Sequence, residues 1–230
     1  IEEREALAVL RGAAVVGMTT TGAAKYQSLV RRMGCRVLLM EEAAEVLEAH
    51  VVASLAPSTQ QLLLIGDHQQ LRPGAACYEL ALRYGLTVSL FERLLNNAAP
   101  YVQLRTQRRM RPSISRLISP LYPELRDHAS ARGRPGVVGL ARTVHFLTHA
   151  HPERPSRQAQ SPENAHEAAA LVLLTATLLG MGYAPRRITI LTAYVGQLLL
   201  LKASLERTNV AAMREVLVST VDACAPPRRR

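Results

Sequence analysis

The segment from Arg36 to Pro73 constrains the fold more than any other part of the chain. It holds two short apolar runs, each ending in a polar cluster. Arg36-Val37-Leu38-Leu39-Met40 meets Glu41-Glu42-Ala43-Ala44, and Gln61-Leu62-Leu63-Leu64-Ile65 meets Gly66-Asp67-His68-Gln69-Gln70-Leu71-Arg72-Pro73. Apolar runs of about five residues without polar alternation read as parallel strands covered on both faces. Between them Ala43, Val46, Leu47 and Val51 recur at helical spacing, which gives a strand, helix, strand unit. Ligands of open α/β sheets bind outside the carboxyl ends of the strands, and both acidic clusters fall there.

Paired acids directly after a buried strand suit a magnesium-nucleotide site, one carboxylate holding the metal through water and the next positioning the water that attacks the γ-phosphate. Glu41 takes the first role and Glu42 the second. Asp67 and Gln70, at the second strand end, fall near enough to sense the same phosphate and to move when it leaves. An acidic pair at a helix start also suits the positive end of the helix dipole, and Gly-Asp-His also reads as a plain turn. Two such clusters in this order on adjacent strands favour the nucleotide site.

EEAAEVLEAH resembles the DEAA-type Walker B motif of superfamily 1 helicases, and GDHQQLRP resembles their motif III. The nearest group is the nonsense-mediated-decay (up-frameshift) group, which includes the large NFX-type zinc-finger-containing helicases. The resemblance implies ATP and Mg2+ as cofactors. The family usually has Asp at the place of Glu41, and the longer side chain shifts the metal or lowers turnover.

The 230 residues suffice for one large or two smaller domains with real cores. A hydrophobic content of 48% without any apolar run of membrane-spanning length argues for a globular chain with no membrane partner. The chain opens on Ile1-Glu2-Glu3-Arg4-Glu5, acidic and without methionine, so it reads as a piece of something longer with no secretory signal. Cys35, Cys77 and Cys224 form no CxxC pair and suggest neither zinc nor a disulfide framework. They fit a reducing compartment, the cytoplasm or the nucleus. A net charge of +10 and a pI near 10.2 favour a polyanionic partner. Lysine occurs only at Lys25 and Lys202; the arginine bias suits bidentate phosphate contacts and equally reflects coding composition.

Taken in order, Glu2 to Leu10 reads as the end of a helix and Ala13 to Met18 as a buried strand closing on Thr19-Thr20-Thr21-Gly22. Hydroxyls and a glycine at a strand end can present donors to a phosphate; the alternative is a helix N-cap by Thr20 or Thr21 before Ala23 to Met33. VVGMTTTG resembles the family's motif Ic, which implies that Thr19 and Thr20 touch the nucleic-acid backbone. Cys77 to Tyr84 and Leu90 to Asn96 read as helices and Tyr101 to Leu104 as a strand. Four positive charges beginning at Arg105 then ask for an anion, or form a solvated basic turn. LRTQRRMRP resembles the LxxQYRMHP motif that opens the second RecA-like domain of these helicases. That implies Arg109 as the arginine reaching the γ-phosphate. Arg108 replaces the tyrosine that stacks on adenine, and a guanidinium plane can also stack on a base.

Pro123 to Arg142 reads as an exposed connection, Thr143 to Leu147 as a strand, and the residues up to Pro162 as a second loop. His145, His149 and His151 lack Cys or acidic ligands at helical or hairpin spacing, so a metal is not expected on them. Ser161-Pro162 is expected to cap a helix to about Leu179, and Asn164, Glu167 and Ala168 resemble the family's SxxNxxEA segment. Ile188 to Leu191 reads as a buried strand followed by an apolar helix; ITILTAYVGQ resembles the ITPYxxQ motif, implying Thr192 on the single-strand path. Glu215 to Val221 reads as a strand whose Ser219-Thr220-Val221-Asp222 resembles the start of motif V, implying Thr220 on the same path. From residue 223 to 230 the motif breaks off into two prolines and three arginines.

The fold expectation is α/β: two RecA-like parallel-sheet lobes of a P-loop NTPase helicase core. Lobe one spans residues 1–100 and is truncated at its N-terminal side; lobe two spans 101–230 and is incomplete at its C-terminal side. The expected function is part of an ATP-dependent helicase or translocase on single-stranded RNA or DNA, with RNA-surveillance or RNA-silencing proteins as partners. The alternative is a non-catalytic nucleic-acid-binding or scaffold protein derived from a helicase. Neither Lys25 nor Lys202 sits in Gly-x4-Gly-Lys-Ser/Thr, so the 230 residues alone are not expected to hydrolyse ATP. Lobe one is expected to expose part of its sheet.

Overall fold

The computed structural model describes residues 2–156 and 158–223. It divides into two compact units, residues 1–104 and 105–230, the change falling after Leu104. Cys224 and most of the divergent tail lie outside the described residues.

In the first unit α1 (Glu2–Gly12) precedes α2 (Thr20–Lys25) and α3 (Gln27–Met33). The expected single helix over Ala23 to Met33 is broken at Tyr26, whose backbone leaves the helical region. The expected strand over Ala13 to Met18 is extended chain without a ladder, and Val15 is exposed. β1 (Val37–Met40) pairs in parallel with β2 (Gln61–Leu64), Val37 opposite Gln61 through Met40 opposite Leu64. The connection is a 3-10 turn over Ala43–Glu45 and then α4 (Glu48–Ser54), not one continuous helix. The unit closes with α5 (Tyr78–Tyr84) and α6 (Leu90–Asn96), the latter capped by Ser89.

Met40, Ala43, Val51 and Leu90 form the buried core of this unit. They cover one face of the strand pair. Val37, Leu39, Leu63 and Ile65 on the other face are exposed, so the expectation of strands covered on both faces is corrected. Continuous apolar sequence registers what a sheet is built to bury, not what the described residues lay over it.

In the second unit β3 (Thr106–Gln107) precedes α7 (Pro112–Ile118) and pairs in parallel with β4 (Arg126–Asp127). The strand expected at Tyr101 to Leu104 is replaced by one that starts at Thr106, and those four residues carry no ladder. The expected open connection from Pro123 contains β4 and α8 (Ala129–Arg132). Thr143 to Leu147 is not a strand, because no neighbour offers it a ladder, and Phe146 is 90% exposed. β5 (Arg154–Pro155) and β6 (Pro162–Glu163) form a short antiparallel pair before α9 (Ala165–Gly180).

β7 (Thr189–Thr192), α10 (Val195–Glu206) and β8 (Leu217–Thr220) complete a parallel crossover in which Thr192 stands opposite Thr220. Ala168, Ile188, Ile190, Leu201, Leu205, Met213, Val216 and Val218 are buried together beneath it. Among the described residues no helix is long and apolar enough to cross a membrane.

Candidate functional site

In the first unit the two strand ends are joined by main-chain bonds. The Ile65 N–H donates to the Met40 carbonyl and the Ala43 N–H donates to the Ile65 carbonyl, each at 2.9 Å. Gly66 makes this closeness feasible: a Cβ there would lie 2.9 Å from the Ala44 nitrogen. Glu42 is held in the left-handed region, with φ 51°, an uncommon conformation for a non-glycine residue that clusters at functional sites. It lets the chain leave β1 and re-enter the 3-10 turn in two residues.

Glu41 and Glu42 consequently stand exposed at the carboxyl end of β1, neither carboxylate ion-paired among the described residues. Asp67 is held differently. Its carboxylate accepts from the Gln69 N–H at 3.0 Å and from the Gln70 amide at 2.8 Å, so Asp67 and Gln70 are bonded to one another. Carboxylate oxygens are the hard donors that Mg2+ takes, and they are present. Among the described residues no three acidic, His or Cys side chains are grouped to hold a metal by themselves. A site of this kind suits an ion bound mainly by substrate phosphates and water, with one or two carboxylates beside it.

Two ion pairs brace this end of the unit. Arg72, at the close of the second cluster, donates to the buried Glu92 in the first turn of α6. Arg93 grips Glu48 with two nitrogens, at 2.6 and 2.8 Å. That hydrogen bonding, with the nearby positive charge, holds the Glu48 carboxyl below the usual glutamate range.

Thr19 is the N-cap of α2, accepting from the Gly22 N–H at 3.0 Å, while Thr20 is its first helical residue and half-buried. The cap role belongs to Thr19 rather than to the next two hydroxyls because its backbone is extended there.

In the second unit Gln107 organises the basic loop. Its carbonyl oxygen accepts from the Arg109 and Met110 N–H groups, at 2.8 and 2.7 Å, and its amide donates to the Met110 carbonyl and to Asp127. Hydrogen bonds from Gln107 and then Ser115 hold the Asp127 carboxyl below the usual range. Arg108 and Arg109 are left exposed, the Arg108 carbonyl being tied to Arg134. Sequence reasoning gives Gln107 no role, although it is the glutamine of the LxxQYRMHP-like segment.

A second motif glutamine without an assigned role is Gln197. It accepts from the Asn164 N–H at 2.7 Å and donates to the Asn164 carbonyl, both residues buried. Asn164, not the expected Ser161, caps α9 through the His166 and Glu167 N–H groups. Ser161 is occupied elsewhere, accepting from the Gly196 N–H at 2.6 Å. Gly196 leaves no room for a Cβ, which would meet the Ser161 carbonyl at 2.7 Å. Thr192 is buried and donates to the Tyr194 carbonyl, so its hydroxyl is spent on shaping the strand end. Thr220 opposite is half-buried, and Tyr194 and Val195 present the exposed surface there.

His149, His151 and His166 cluster at the start of α9, the last two stacked with ring centroids 3.8 Å apart. His149 bonds Glu167 at 3.1 Å. His145 stays apart, bonded to the Arg142 carbonyl. Desolvation, followed by the neighbouring His151 and His149, pushes the His166 imidazole below its ordinary range.

An AAA domain model matches residues 86–225 and another AAA domain model matches residues 1–75. The chain is 48% identical over 200 residues to NFX1-type zinc finger-containing protein 1 of Mus musculus, covering 86% of this chain and 10% of that protein. It is 40% identical over 221 residues to the Helicase required for RNAi-mediated heterochromatin assembly 1 of Schizosaccharomyces pombe, covering 95% of this chain and 22% of that one. Regulator of nonsense transcripts 1 of Caenorhabditis elegans is 29% identical over 206 residues, with 86% and 19% covered. The chain thus spans between a tenth and a quarter of the length of these relatives. With AAA domain matches across both units and these relatives, the chain belongs to the superfamily 1 helicases of the up-frameshift-like, nonsense-mediated-decay group.

Proposed function

We propose that these residues form part of an ATP-dependent motor of two RecA-like lobes that couples hydrolysis to movement along single-stranded RNA or DNA. Glu42 is the base that activates the attacking water. Within the first unit Glu41 would hold magnesium through water with Asp67 beside it, and Gln70 would meet the γ-phosphate. Within the second unit the exposed Arg109 is assigned to a phosphate and Arg108 to stacking on a base. Magnesium, when bound, draws charge off the transferring phosphoryl group. Thr19 and Thr20 touch the nucleic-acid backbone directly; Thr192 and Thr220 shape the strand ends over which it runs. RNA-surveillance or RNA-silencing proteins are the proposed partners, a reading supported by the names of the fission yeast and nematode relatives.

The single observation that carries this reading is the Gly66-tied junction, which sets an exposed acidic pair beside the bonded Asp67–Gln70 group at the carboxyl ends of two parallel strands. The chain alone, without a Gly-x4-Gly-Lys grip on the phosphates, does not hydrolyse ATP at a useful rate. The test is RNA-stimulated ATP hydrolysis by the longest natural product that contains these residues, compared with its Glu42→Gln variant. Loss of turnover with retained RNA binding is expected. Unchanged turnover rejects the role of Glu42, and RNA binding without turnover in either protein leaves a nucleic-acid-binding scaffold.

A further inference from the structure

Away from the strand ends, the second unit carries an open groove of about 630 Å3 between α9, α10 and the 3-10 turn over Ala211–Glu215. Ala165, Ala169, Val172 and Ala176 line it along α9, with Leu200 and Ser204 facing them from α10. Leu173 lies at its edge and is 69% exposed.

Two properties specify what fits there. The first is length. From Ala165 to Ala176 the α9 wall runs about 16 Å at 1.5 Å per residue. That matches three turns of a helix whose apolar side chains recur at i, i+3 or i+4, i+7 and i+11, the spacing used in helix-in-groove recognition. The second is charge. The lining includes no carboxylate, and its ionised side chains are Arg154 and Arg207. Arg154 is shared with Glu163, whereas Arg207 makes no ion pair among the described residues. An apolar trough closed by an uncompensated guanidinium selects an apolar segment that carries an acid at one flank. The net charge of +10 adds long-range attraction for the same class of partner.

We propose that this groove docks an amphipathic, acidic helix of a protein partner, its apolar face lying between α9 and α10 and a carboxylate meeting Arg207. This surface is separate from the nucleotide and nucleic-acid assignments above and stands without them.

The test titrates the full 230-residue chain with a fluorescein-labelled 16-residue peptide that places leucines on one helical face and glutamates at its flank. A scrambled peptide of the same composition and a peptide with lysines for the glutamates serve as controls. The glutamate peptide is expected to bind at least tenfold tighter than either control. Ala169→Arg, at an exposed position in the groove wall, is expected to weaken it tenfold or more. Arg207→Glu is expected to reverse the preference toward the lysine peptide, and it alters a solvent-facing side chain, so it reads out charge recognition even where Ala169→Arg perturbs the helix. Equal binding of the scrambled peptide, or an unreversed preference in Arg207→Glu, overturns the proposal. Saturable binding of dodecanoate that Ala169→Arg abolishes, with no binding of the glutamate peptide, overturns it in favour of a small apolar acid.

Discussion

The two crossovers that end in polar clusters hold those clusters by opposite means. At the β1–β2 end the main chain does the holding: the Met40, Ala43 and Ile65 backbone bonds and the bare Gly66 fix the path, and the Glu41 and Glu42 carboxylates stay exposed. At the β7–β8 end side chains do it: Asn164, Gln197 and Thr192 are buried, and their polar atoms are used on the fold. A carboxylate that must answer to a changing charge has to be positioned without being neutralised, and backbone bonds do that. A surface that must keep its shape gains from buried side-chain amides bonded to the main chain. The cores differ in the same sense, since the second unit buries a larger cluster under its strand pair than the first.

The sharpest way to break this contrast is chemical. If Glu42 is the exposed base, Glu42→Gln lowers RNA-stimulated turnover of the longest natural product by about 10²- to 10⁴-fold. Asn164→Ala should leave turnover at saturating RNA nearly intact and weaken RNA binding, as filter binding at two salt concentrations would register. Equal loss of turnover from both variants erases the distinction between the two ends.

The next effect is on stability. Leu201 and Val51 are both fully buried, one in each core. Leu201→Ala should cost the second unit about 3 kcal/mol, and Val51→Ala the first about 2 kcal/mol, in urea unfolding followed by circular dichroism. A larger loss from Val51→Ala would reverse the ranking of the cores. Asn164→Ala removes the cap of α9 and the side-chain bond to the His151 carbonyl, for about 1 to 2 kcal/mol.

Acid should act selectively on the second unit. The folded state resists protonating His166, whose pKa is lowered, while the unfolded chain accepts the proton in the ordinary histidine range. The stability this group adds is therefore complete above that range and is lost as pH falls through it. His149, His151 and Glu167 are the titratable groups around it. Melting temperature compared at about pH 7.5 and about pH 5.5 should drop further in the natural chain than in His166→Gln. The smallest expected effect is that of Glu42→Gly, which relieves the left-handed strain but frees the unfolded chain, so that stability changes by less than about 1 kcal/mol. A clear loss would mean that the Glu42 side chain packs against the protein rather than facing solvent.

These contrasts also mark where sequence sufficed. β1 and β2, their parallel pairing, and the crossover from Thr189 to Thr220 were legible because short apolar runs bounded by polar clusters depend on local patterning. The expected strands over Ala13 to Met18 and Thr143 to Leu147 failed because a strand exists only where a neighbour offers its ladder, which pattern does not encode. The β3–β4 pair escaped notice for the converse reason. Two residues are too few to carry a period, and Gln107 is fixed by side-chain bonds to Asp127, twenty positions away. The helix cap moved from Ser161 to Asn164 because Gly196, distant in sequence, claimed the serine hydroxyl.

What the sequence by itself determined is the family and the order of its polar clusters along the chain, since residue type and spacing are written there directly. Tertiary structure alone decided which of those polar atoms remain available. Glu41 and Glu42 keep theirs because backbone groups carry the junction, while Thr192 gives its hydroxyl to a carbonyl two residues on. Availability is set by which partners come within hydrogen-bond reach once the chain is folded.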